Sequence, residues 1–462
     1  MRINLPAIGQ SYRHDDLPLS AQVTRNWYPE INQETSVVVS LQPYPGATRF
    51  SLTRRGADRG CTAWRGSVYK VTDYALYKID SEGRASKVAG VNIFGEGWCS
   101  FAGSSDYLVI ATSGAAYVCD GSSVSKIFDT DLESPNSCAF INNQWIYQGL
   151  NGRFCTSDAG EPTSINGLNY ATAESAGDDL LRVYVFNQLV YMFGTDTIET
   201  WYNSGVGYPP FDRVEGGIAQ TGCGAAFSVS SNDNYLYFLG DDRIVYQLSG
   251  IQARPISTIP LAQAFEGYED VSDAVGFCYT LNGQNFYQIS VGGASWVFSE
   301  SAGGWFEASV GNDDRPHPAT SYVYAFGKHL IADGGNLLEL STSEALYNGE
   351  PIIRERVTGL ISGETLGQEY IGRPLFMSRC EIIIKGVPPL GDAPQIMLSW
   401  SDDAGYTWST ERIIECGELG NYTFKAVAHQ LGRFYDRVFK IRISDENRYS
   451  LHRMSGDINV GN

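Results

Sequence analysis

The most specific chemical pattern in the chain is an acidic turn near its end, with the spacing S-x-D-x-G-x-T-W at Ser401, Asp403, Gly405 and Trp408. A carboxylate at the Asp403 position can accept hydrogen bonds from the backbone N–H groups of a turn, and glycine adopts backbone angles that other residues avoid. The tryptophan is expected to pack beneath the turn. The four residues therefore predict a structural turn.

The same pattern, called the Asp-box, occurs in sialidases and other β-proteins, so a sialidase-like propeller glycosidase is the enzymatic alternative. Such an enzyme needs a pair of acidic residues and an arginine cluster for the substrate carboxylate. This chain has one Asp-box, and its Arg254-Pro255-Ile256 has the wrong order for the Phe/Tyr-Arg-Ile-Pro motif of that class. The pattern favours a structural role over glycoside hydrolysis.

Other reactive residue types lack the spacing that chemistry requires. Adjacent acidic pairs lie at 15–16, 178–179, 241–242, 313–314 and 402–403, and none follows the spacing of a calcium loop. The five histidines show no H-x-x-H or H-E-x-x-H pattern, and the nine cysteines match no zinc template. The sequence therefore predicts no catalytic residue, no cofactor and no metal. By elimination, the function is binding, scaffolding or conducting something.

The N-terminal residues and the cysteines indicate where the protein is made. The sequence MRINLPAIGQ lacks the apolar stretch of a signal peptide, and no run of about 18 apolar residues occurs. The cysteine count is odd, without C-x-x-C. We expect synthesis in a reducing cytosol, thiols that act as small buried hydrophobes, and no membrane insertion.

The net charge of −19 is confined to the middle of the chain. Residues 61–345 hold 13 basic and 32 acidic side chains, whereas residues 1–60 have a net charge of +2 and residues 346–462 a net charge of −2. Affinity for nucleic acid depends on Lys and Arg neutralising phosphates. The middle part is therefore a poor candidate for gripping nucleic acid, and its acidity would repel DNA.

A loose repeat over residues 61–345 predicts the main domain. Units begin near residues 61, 98, 137, 180, 222, 274 and 320, and each contains alternating stretches split by turn residues such as Asn282-Gly283. Intervals of 37 to 52 residues suit four short strands, the content of a propeller blade. We predict an all-β protein with a six- or seven-bladed β-propeller; the alternative, a series of β-sandwiches, does not explain the even period.

The two ends of the chain differ from this repeat. Residues 346–462 contain longer strands at the spacing of a β-sandwich, and in the last of them Arg437, Lys440 and Arg442 are expected on the face opposite Phe439 and its apolar neighbours. Residues 1–60 are rich in proline and predict an extended arm with short strands that packs on another part. Deletion of residues 1–45 is expected to leave a folded propeller.

Over most of its length the chain resembles the packaged-DNA stabilisation proteins, also called tail hub or nozzle proteins, of short-tailed (podovirus-type) bacteriophages. No single motif is diagnostic, but their order is. The resembling stretches are Asn26-Trp27-Tyr28-Pro29-Glu30, YPGATRF (44–50), GADRGCTAWRGSVYKV (56–71), LVYMFGTDTIETWYNSG (189–205), PPFDRVEGGIAQTGCGAA (209–226), FLGDDRIVYQLSG (238–250), SDDAGYTWS (401–409) and GELGNYTFKAVAHQLGRFYDRVFKIRISD (417–445).

The resemblance implies a structural protein of the virion tail, assembled in the host cytoplasm as a homohexameric ring under the portal and its adaptor. Such a ring helps to retain packaged DNA and is the conduit for genome ejection, and DNA passes without sequence-specific binding. Which distal proteins attach to it, whether a needle, fibres or spikes, is left open by the resemblance. It also implies a β-sandwich platform formed by residues 346–462 and the arm, with residues 26–30 as a suspected assembly arm. A generic propeller scaffold, which would lack the arm and the sandwich, is the remaining alternative.

Overall fold

The computed structural model describes residues 1–32, 38–173, 177–387, 393–420 and 422–461. Its regular structure is almost entirely β-strand. The strands of the arm are β1 (Arg2–Asn4), β2 (Tyr12–Arg13), β3 (Ala21–Arg25), β4 (Trp27–Ile31), β5 (Val38–Pro43) and β6 (Gly46–Leu52).

The middle of the chain contributes thirty strands and one α-helix. They are β7 (Asp58–Trp64), β8 (Ser67–Thr72), β9 (Ala75–Ile79), β10 (Ala85–Lys87), β11 (Ala89–Gly90), β12 (Ser100–Gly103), β13 (Leu108–Thr112), β14 (Ala115–Cys119), β15 (Ser123–Lys126), β16 (Cys138–Ile141), β17 (Gln144–Gln148), β18 (Arg153–Asp158), β19 (Glu161–Thr172), β20 (Leu180–Phe186), β21 (Leu189–Gly194), β22 (Ile198–Asn203), β23 (Phe211–Ala219), β24 (Ser230–Ser231), β25 (Leu236–Leu239), β26 (Val245–Ser249), β27 (Gln252–Pro255), α1 (Ile259–Glu266), β28 (Val275–Leu281), β29 (Gln284–Val291), β30 (Ala294–Ser299), β31 (Gly304–Glu307), β32 (Ser309–Val310), β33 (Arg315–Pro316), β34 (Ser321–Ala325), β35 (Lys328–Asp333) and β36 (Asn336–Ser341).

The last part of the chain is again mostly strand, with one short helix. Its elements are β37 (Arg354–Val357), β38 (Ile361–Ser362), α2 (Gly363–Leu366), β39 (Leu375–Gly386), β40 (Gln395–Ser401), β41 (Arg412–Glu415), β42 (Gly417–Gly420), β43 (Thr423–Phe434), β44 (Asp436–Ile443) and β45 (Tyr449–Val460). Two 3₁₀ turns, Ala226–Ser228 and Gln368–Tyr370, complete the regular structure of the described residues.

The alternating pattern of the first repeat shows how one unit fills two interfaces. All six residues of β8 are buried. Tyr69 and Val71 belong to the hydrophobic cluster shared with the next unit, whereas Val68 points to the opposite side and belongs to the cluster shared with the last unit. Asp73, with a φ of 51°, forms the turn into β9. Because both faces of the sheet are buried, each unit is stable only between two neighbours.

Seven units, antiparallel except for the parallel pairing of β11 with β15, form a closed ring. Six of them are separate sheets: β7–β10, β11–β15, β16–β19, β20–β23, β24–β27, and β34–β36 with β6. The seventh, β28–β31, lies between the last two of these and continues into another sheet. Seven hydrophobic clusters separate neighbouring units, and the one that joins the β34–β36 unit to the β7–β10 unit closes the ring. The predicted all-β propeller is confirmed.

The arm supplies the strand that completes the last blade. β6 pairs with β36 in antiparallel register, from Gly46 opposite Ser341 to Leu52 opposite Asn336. The outer strand of this blade therefore comes from the beginning of the chain, and its three inner strands come from residues 321–341. Joining a propeller through distant segments of the chain ties its first and last blades together.

One blade is continuous with the C-terminal sandwich. The outer strand β31 pairs in parallel with β3 at Glu307 and Arg25, β3 pairs with β37, and the sheet goes on through β44, β40 and β41. The result is an eleven-stranded sheet that runs from the propeller into the sandwich. The arm strand β3 is the element that bridges them.

The sandwich packs this sheet against a second one of seven strands, β4-β5-β45-β39-β43-β42 with β1 on β45. Ile382 and Phe424 from the second sheet meet Leu398 and Ile441 from the first in one buried core. Five of the arm's six strands, β1–β5, lie in these two sheets, so residues from both chain ends build the sandwich. In the described part of the chain, no helix has the length and apolarity needed to cross a membrane.

Candidate functional site

The motif at residues 26–30 lies where arm, propeller and sandwich meet. The side chain of Asn26 is fully buried; its Nδ2 donates to Ile353 O at 2.7 Å and to Ser309 Oγ at 2.9 Å, and its Oδ1 accepts from Ser309 N at 2.8 Å. Its backbone N–H donates to Glu307 O, and its carbonyl accepts from Tyr44 N. Asn26 has a φ of 55°, which asparagine tolerates better than most residues. One residue thus joins four segments of the chain.

The next two side chains point into different cores, because neighbouring strand residues face opposite sides. Trp27 is buried in the sandwich, and its Nε1 donates to Tyr449 O at 2.9 Å. Tyr28 lies in the propeller, 5.3 Å from the ring of Phe286. Pro29 is buried, and Glu30 accepts a hydrogen bond from Ser40 Oγ. Packing within the subunit therefore accounts for this motif, and its role in assembly stays a prediction.

A second buried group, Arg356 on β37, holds the earlier part of the arm. Its guanidinium is inaccessible to solvent. Its hydrogen bonds run to Ala7 O (2.8 Å), Gln10 O (2.9 Å), Val23 O (3.3 Å), Thr24 Oγ1 (2.7 Å) and Gln22 Oε1 (2.6 Å). All five acceptors are neutral, and burial lowers the pKa of Arg356 to about 9. The arm is thus fixed by backbone, amide and hydroxyl oxygens that converge on one cation.

A partly buried charge network covers the arm strand β3 where it joins β31 of the propeller to β37 of the sandwich. Arg25 contacts Glu307 at 2.8 Å and Asp314 at 3.1 Å, and Arg442 contacts Glu355 at 3.4 Å. Burial opposes the charge of Arg25, but the carboxylates of Glu307, Glu355 and Asp314 outweigh it and raise the pKa of this guanidinium. The network combines groups from the arm, the propeller and the sandwich. We call the residues of these four paragraphs (Arg25–Glu30, Glu307, Asp314, Glu355, Arg356 and Arg442) the joint.

The turn at residues 401–408 has dense internal hydrogen bonding. Ser401 Oγ donates to Asp403 Oδ1 at 2.6 Å and accepts from Gly405 N at 2.7 Å. Asp403 also accepts from the N–H and the hydroxyl of Thr407, at 2.8 and 2.6 Å. These hydrogen bonds, from Ser401 and then Thr407, lower the pKa of Asp403 to about 2. Gly405 has a φ of 102°, a conformation that side chains avoid.

The same turn packs on the arm. A Cβ atom at Gly405 would lie 3.3 Å from Ala21 Cβ and 4.0 Å from Leu17 Cδ1, so the glycine permits close approach. Trp408 is partly buried beside the cluster that contains Ala21, and Lys440 Nζ lies 4.0 Å from the centre of its ring. The carboxylate, the glycine and the tryptophan thus shape a contact with arm residues. That their role is structural stays a prediction.

Sequence reasoning placed Arg437 on the wrong face of β44. Its side chain is 1% exposed and lies on the core side, with its guanidinium 4.2 Å from the ring centre of Phe434. Its Nε and Nη2 donate to the two carboxylate oxygens of Asp402 at 2.6 and 2.7 Å, and its Nη1 donates to Leu431 O. Residues two apart on a strand share a face. Because Phe439 was expected in the core and Arg437 lies two positions before it, this spacing could have predicted that Arg437 faces the core.

The other acidic pairs are exposed or half-buried in turns and loops, where several serve as caps. Asp178 accepts from two backbone N–H groups, of Asp196 and Thr197. Within the described ranges, no three His, Cys, Asp or Glu side chains come together as metal ligands. All nine cysteines are free thiols, eight of them buried, and burial raises the pKa of the half-buried Cys61 to about 12. Thiols of this kind are weak nucleophiles.

His317 is the most perturbed histidine. It is 3% exposed, lies 4.9 Å from the ring of Tyr347 and 5.6 Å from that of Tyr44, and burial lowers its pKa to about 3. Its Nδ1 contacts Gln288 Nε2 at 3.3 Å. A neutral ring packed among aromatic side chains fits a core residue between two blades.

A propeller ring joined by its own N-terminal arm to a β-sandwich defines a two-part, all-β protein. The family model described as "Bacteriophage P22 Gp10, beta-propeller" matches residues 1–343, and the model described as "Bacteriophage P22 Gp10, beta-sandwich" matches residues 373–459. The chain therefore belongs to the bacteriophage P22 Gp10 family, the tail hub and DNA-stabilisation proteins of podoviruses, and is a phage tail structural protein. The predicted resemblance is confirmed, and the glycosidase and generic-scaffold alternatives are not favoured.

Solved structures match the chain only at low sequence identity. The WD40 β-propeller domain of Doa1 is 13% identical, with 64% of this chain and 97% of that chain covered and a TM-score of 0.41. The Neurospora crassa Pan2 WD40 domain is 8% identical, with 66% and 98% covered and a TM-score of 0.44. BamB from Moraxella catarrhalis is 9% identical, with 74% and 95% covered and a TM-score of 0.37. No curated protein sequence matches the chain.

Proposed function

We propose that this protein forms a homohexameric hub that docks beneath the portal and adaptor of a short-tailed phage, helps to retain the packaged genome and is the conduit for its ejection. The observation that carries the proposal is the joint. A sheet that runs without interruption from a blade into the sandwich leaves no linker between them, so a force applied to the propeller is transmitted to the sandwich.

The distribution of charge supports the same proposal. The propeller segment 61–345 has a net charge of −19, and the remaining residues together are neutral. Ring contacts made by the neutral parts avoid the repulsion that six acidic propellers would suffer at close range. An acidic wall repels the phosphates of passing DNA, and screening limits this effect to about 8 Å at physiological salt. The contacts between subunits therefore involve the neutral parts of the chain, and the passage of DNA involves the acidic propeller.

The edge of the sandwich offers a candidate contact between subunits. Val387, Leu419 and Tyr422 are 67%, 53% and 62% exposed. They lie near one another, because Gly386 N donates to Tyr422 O and the edge strand β42 pairs with the start of β43. Exposed apolar side chains beside an edge strand favour pairing with another protein surface. We assign them to the contact with the next subunit of the ring.

Electron microscopy of the purified protein with the adaptor ring of its phage tests this proposal. Wild-type protein is expected to form six-fold rings on the adaptor, and Tyr422→Glu to reduce ring formation because it places a charge at the contact. Tyr208→Glu is the matched control: Tyr208 is 76% exposed in a propeller turn and should leave assembly unchanged.

Two results would contradict the proposal at different levels. Equal assembly of both variants would exclude the sandwich edge as the ring contact. Failure of wild-type protein to bind the adaptor at all, with phage lacking the protein still retaining DNA, would exclude the hub role itself.

A further inference from the structure

A cavity of about 290 Å³ lies at the centre of the propeller. Its wall comes from inner strands of several blades, including β7, β12, β20, β28 and β34. The lining is mixed, with the aromatic side chains of Trp98, Tyr184, Phe227 and Tyr322 beside hydroxyl and guanidinium groups. None of the lining residues, all of which are described, is Asp or Glu. In a subunit of net charge −19, a cavity lining without acidic side chains is unusual.

Arg182 is the incompletely paired cation of this cavity. Its Nη1 donates to Ala226 O at 2.9 Å, whereas its Nε is buried without a hydrogen-bond partner. The guanidinium carbon lies 4.7 Å from the ring centre of Phe227 and 5.5 Å from that of Tyr184. The aromatic rings hold the guanidinium in place but leave its Nε–Nη2 edge without a bonded oxygen among the described residues.

The charge of Arg182 is also uncompensated. Burial lowers the pKa of Arg182, and the groups that partly restore it are Tyr184 and two thiols rather than a carboxylate. Arg182 as a residue is half-buried, but its Nε is a buried donor without a partner, and such a group is costly unless an anion or water bonds to it. Arg59, which lines the same cavity, is different: its guanidinium donates to three carbonyls and to Thr112 Oγ1. Of the two arginines that line this cavity, Arg182 is the one with an unpaired buried N–H.

We propose that the central cavity binds a compact oxyanion of the phosphate type through the Nε–Nη2 edge of Arg182. This edge presents two parallel N–H groups that match two oxygens of one anion. The chain uses the same edge elsewhere, where Arg437 grips both oxygens of Asp402. The hydroxyl of Ser230 also lines the cavity. A bound anion would link strands of blades that are distant in sequence.

Titration of the full-length protein with inorganic phosphate, at constant ionic strength against chloride, tests the proposal. Calorimetry should show one site per chain, and the melting temperature should rise with the logarithm of phosphate concentration above the dissociation constant. A structure determined in phosphate should show the anion beside Arg182. Absence of saturable binding by wild-type protein, or density for water alone at that position, would overturn the proposal.

Substitutions locate the site. Arg182→Met is expected to weaken phosphate binding about 10- to 100-fold, the loss of one or two charge-assisted hydrogen bonds. Arg153→Met is the matched control, since Arg153 is half-exposed and pairs with Glu133 on the surface. If Arg182→Met does not fold, Arg182→Lys keeps the charge without the two-pronged edge and should bind with intermediate affinity. Wild-type affinity in a folded Arg182 variant would identify an adventitious ion only and refute the site.

Discussion

Replacement of Arg356 by methionine tests how firmly the arm is held to the rest of the subunit. The substitution keeps an unbranched side chain in the cavity but removes all five hydrogen bonds to the oxygens of residues 7–24. Methionine cannot satisfy these acceptors, and the site is closed to solvent. The arm segment is therefore the first part of the molecule expected to loosen.

The expected change in the free energy of unfolding for Arg356→Met follows from two opposing effects. Hydrogen bonds from a charged donor contribute about 1.5–3 kcal/mol each and are not additive within a network. Removal of the cation also relieves the penalty of burying it, the same penalty that lowers the pKa of Arg356 to about 9. Five buried oxygens then lack a donor, at about 1–3 kcal/mol each, and relief of the cation's burial offsets part of that sum, which leaves a net loss of about 3–5 kcal/mol. We expect a loss in this range for Arg356→Met and a smaller one for Arg356→Lys.

Urea unfolding gives the change in stability, and hydrogen exchange of residues 7–24 shows whether the arm opens locally. The control is Arg373→Met, an exposed arginine whose replacement should change stability by less than about 0.5 kcal/mol. A loss below about 1 kcal/mol for Arg356→Met, with unchanged exchange in the arm, would refute the view that this cation anchors it.

Three further outcomes are expected. The folded state holds the pKa of His317 near 3, well below the value near 6.5 of an exposed histidine, so the unfolded chain binds more protons between these two pH values. The free energy of unfolding should therefore fall by about 3 kcal/mol from pH 7 to pH 4. His317→Gln should remove most of this pH dependence in thermal unfolding. Asn26→Ala should destabilise by about 3 kcal/mol in urea unfolding, because it leaves Ser309 N and Ile353 O unpaired; an effect below about 1 kcal/mol would contradict this. Asp403→Ala should speed amide exchange at Thr407, and the same should happen in wild-type protein only as the pH falls towards 2; unchanged exchange would show that the carboxylate does not hold the turn.

The blades could be predicted because their information is local. The alternation of Val68 with Tyr69 and the turn at Asp73 lie within a dozen residues, and a unit with two apolar faces must stack on copies of itself. The Asp-box geometry is local too, since Asp403 bonds to residues within four positions. Patterns of this length specify hairpins and turns without reference to the rest of the chain.

The joint could not be predicted, because the side chains of Arg25, Asn26 and Arg356 bind partners more than 280 positions away. Asn26 gave no sign in the sequence that Ser309 and Ile353 would be its partners. β6 reads as one more short strand of the arm, and only closure of the ring makes it the outer strand of the last blade. Arg356 would be expected on the surface from its type alone. Buried polar groups with distant partners are the features that single-sequence patterns miss.

The joint also changes how the arm can be studied. Tyr28 and Tyr44, both within residues 1–45, lie in the hydrophobic cluster between the β28–β31 unit and the last blade. Tyr44 hydrogen-bonds Tyr279 and Gln288 there. Deletion of residues 1–45 would therefore open a cleft in the ring and remove the strand that joins β31 to β37, instead of leaving an intact propeller. A defect in tail assembly after such a deletion would reflect lost folding of the subunit. The contacts between subunits are better tested by replacing exposed side chains such as Tyr422, because this leaves the cores of the propeller and the sandwich unchanged.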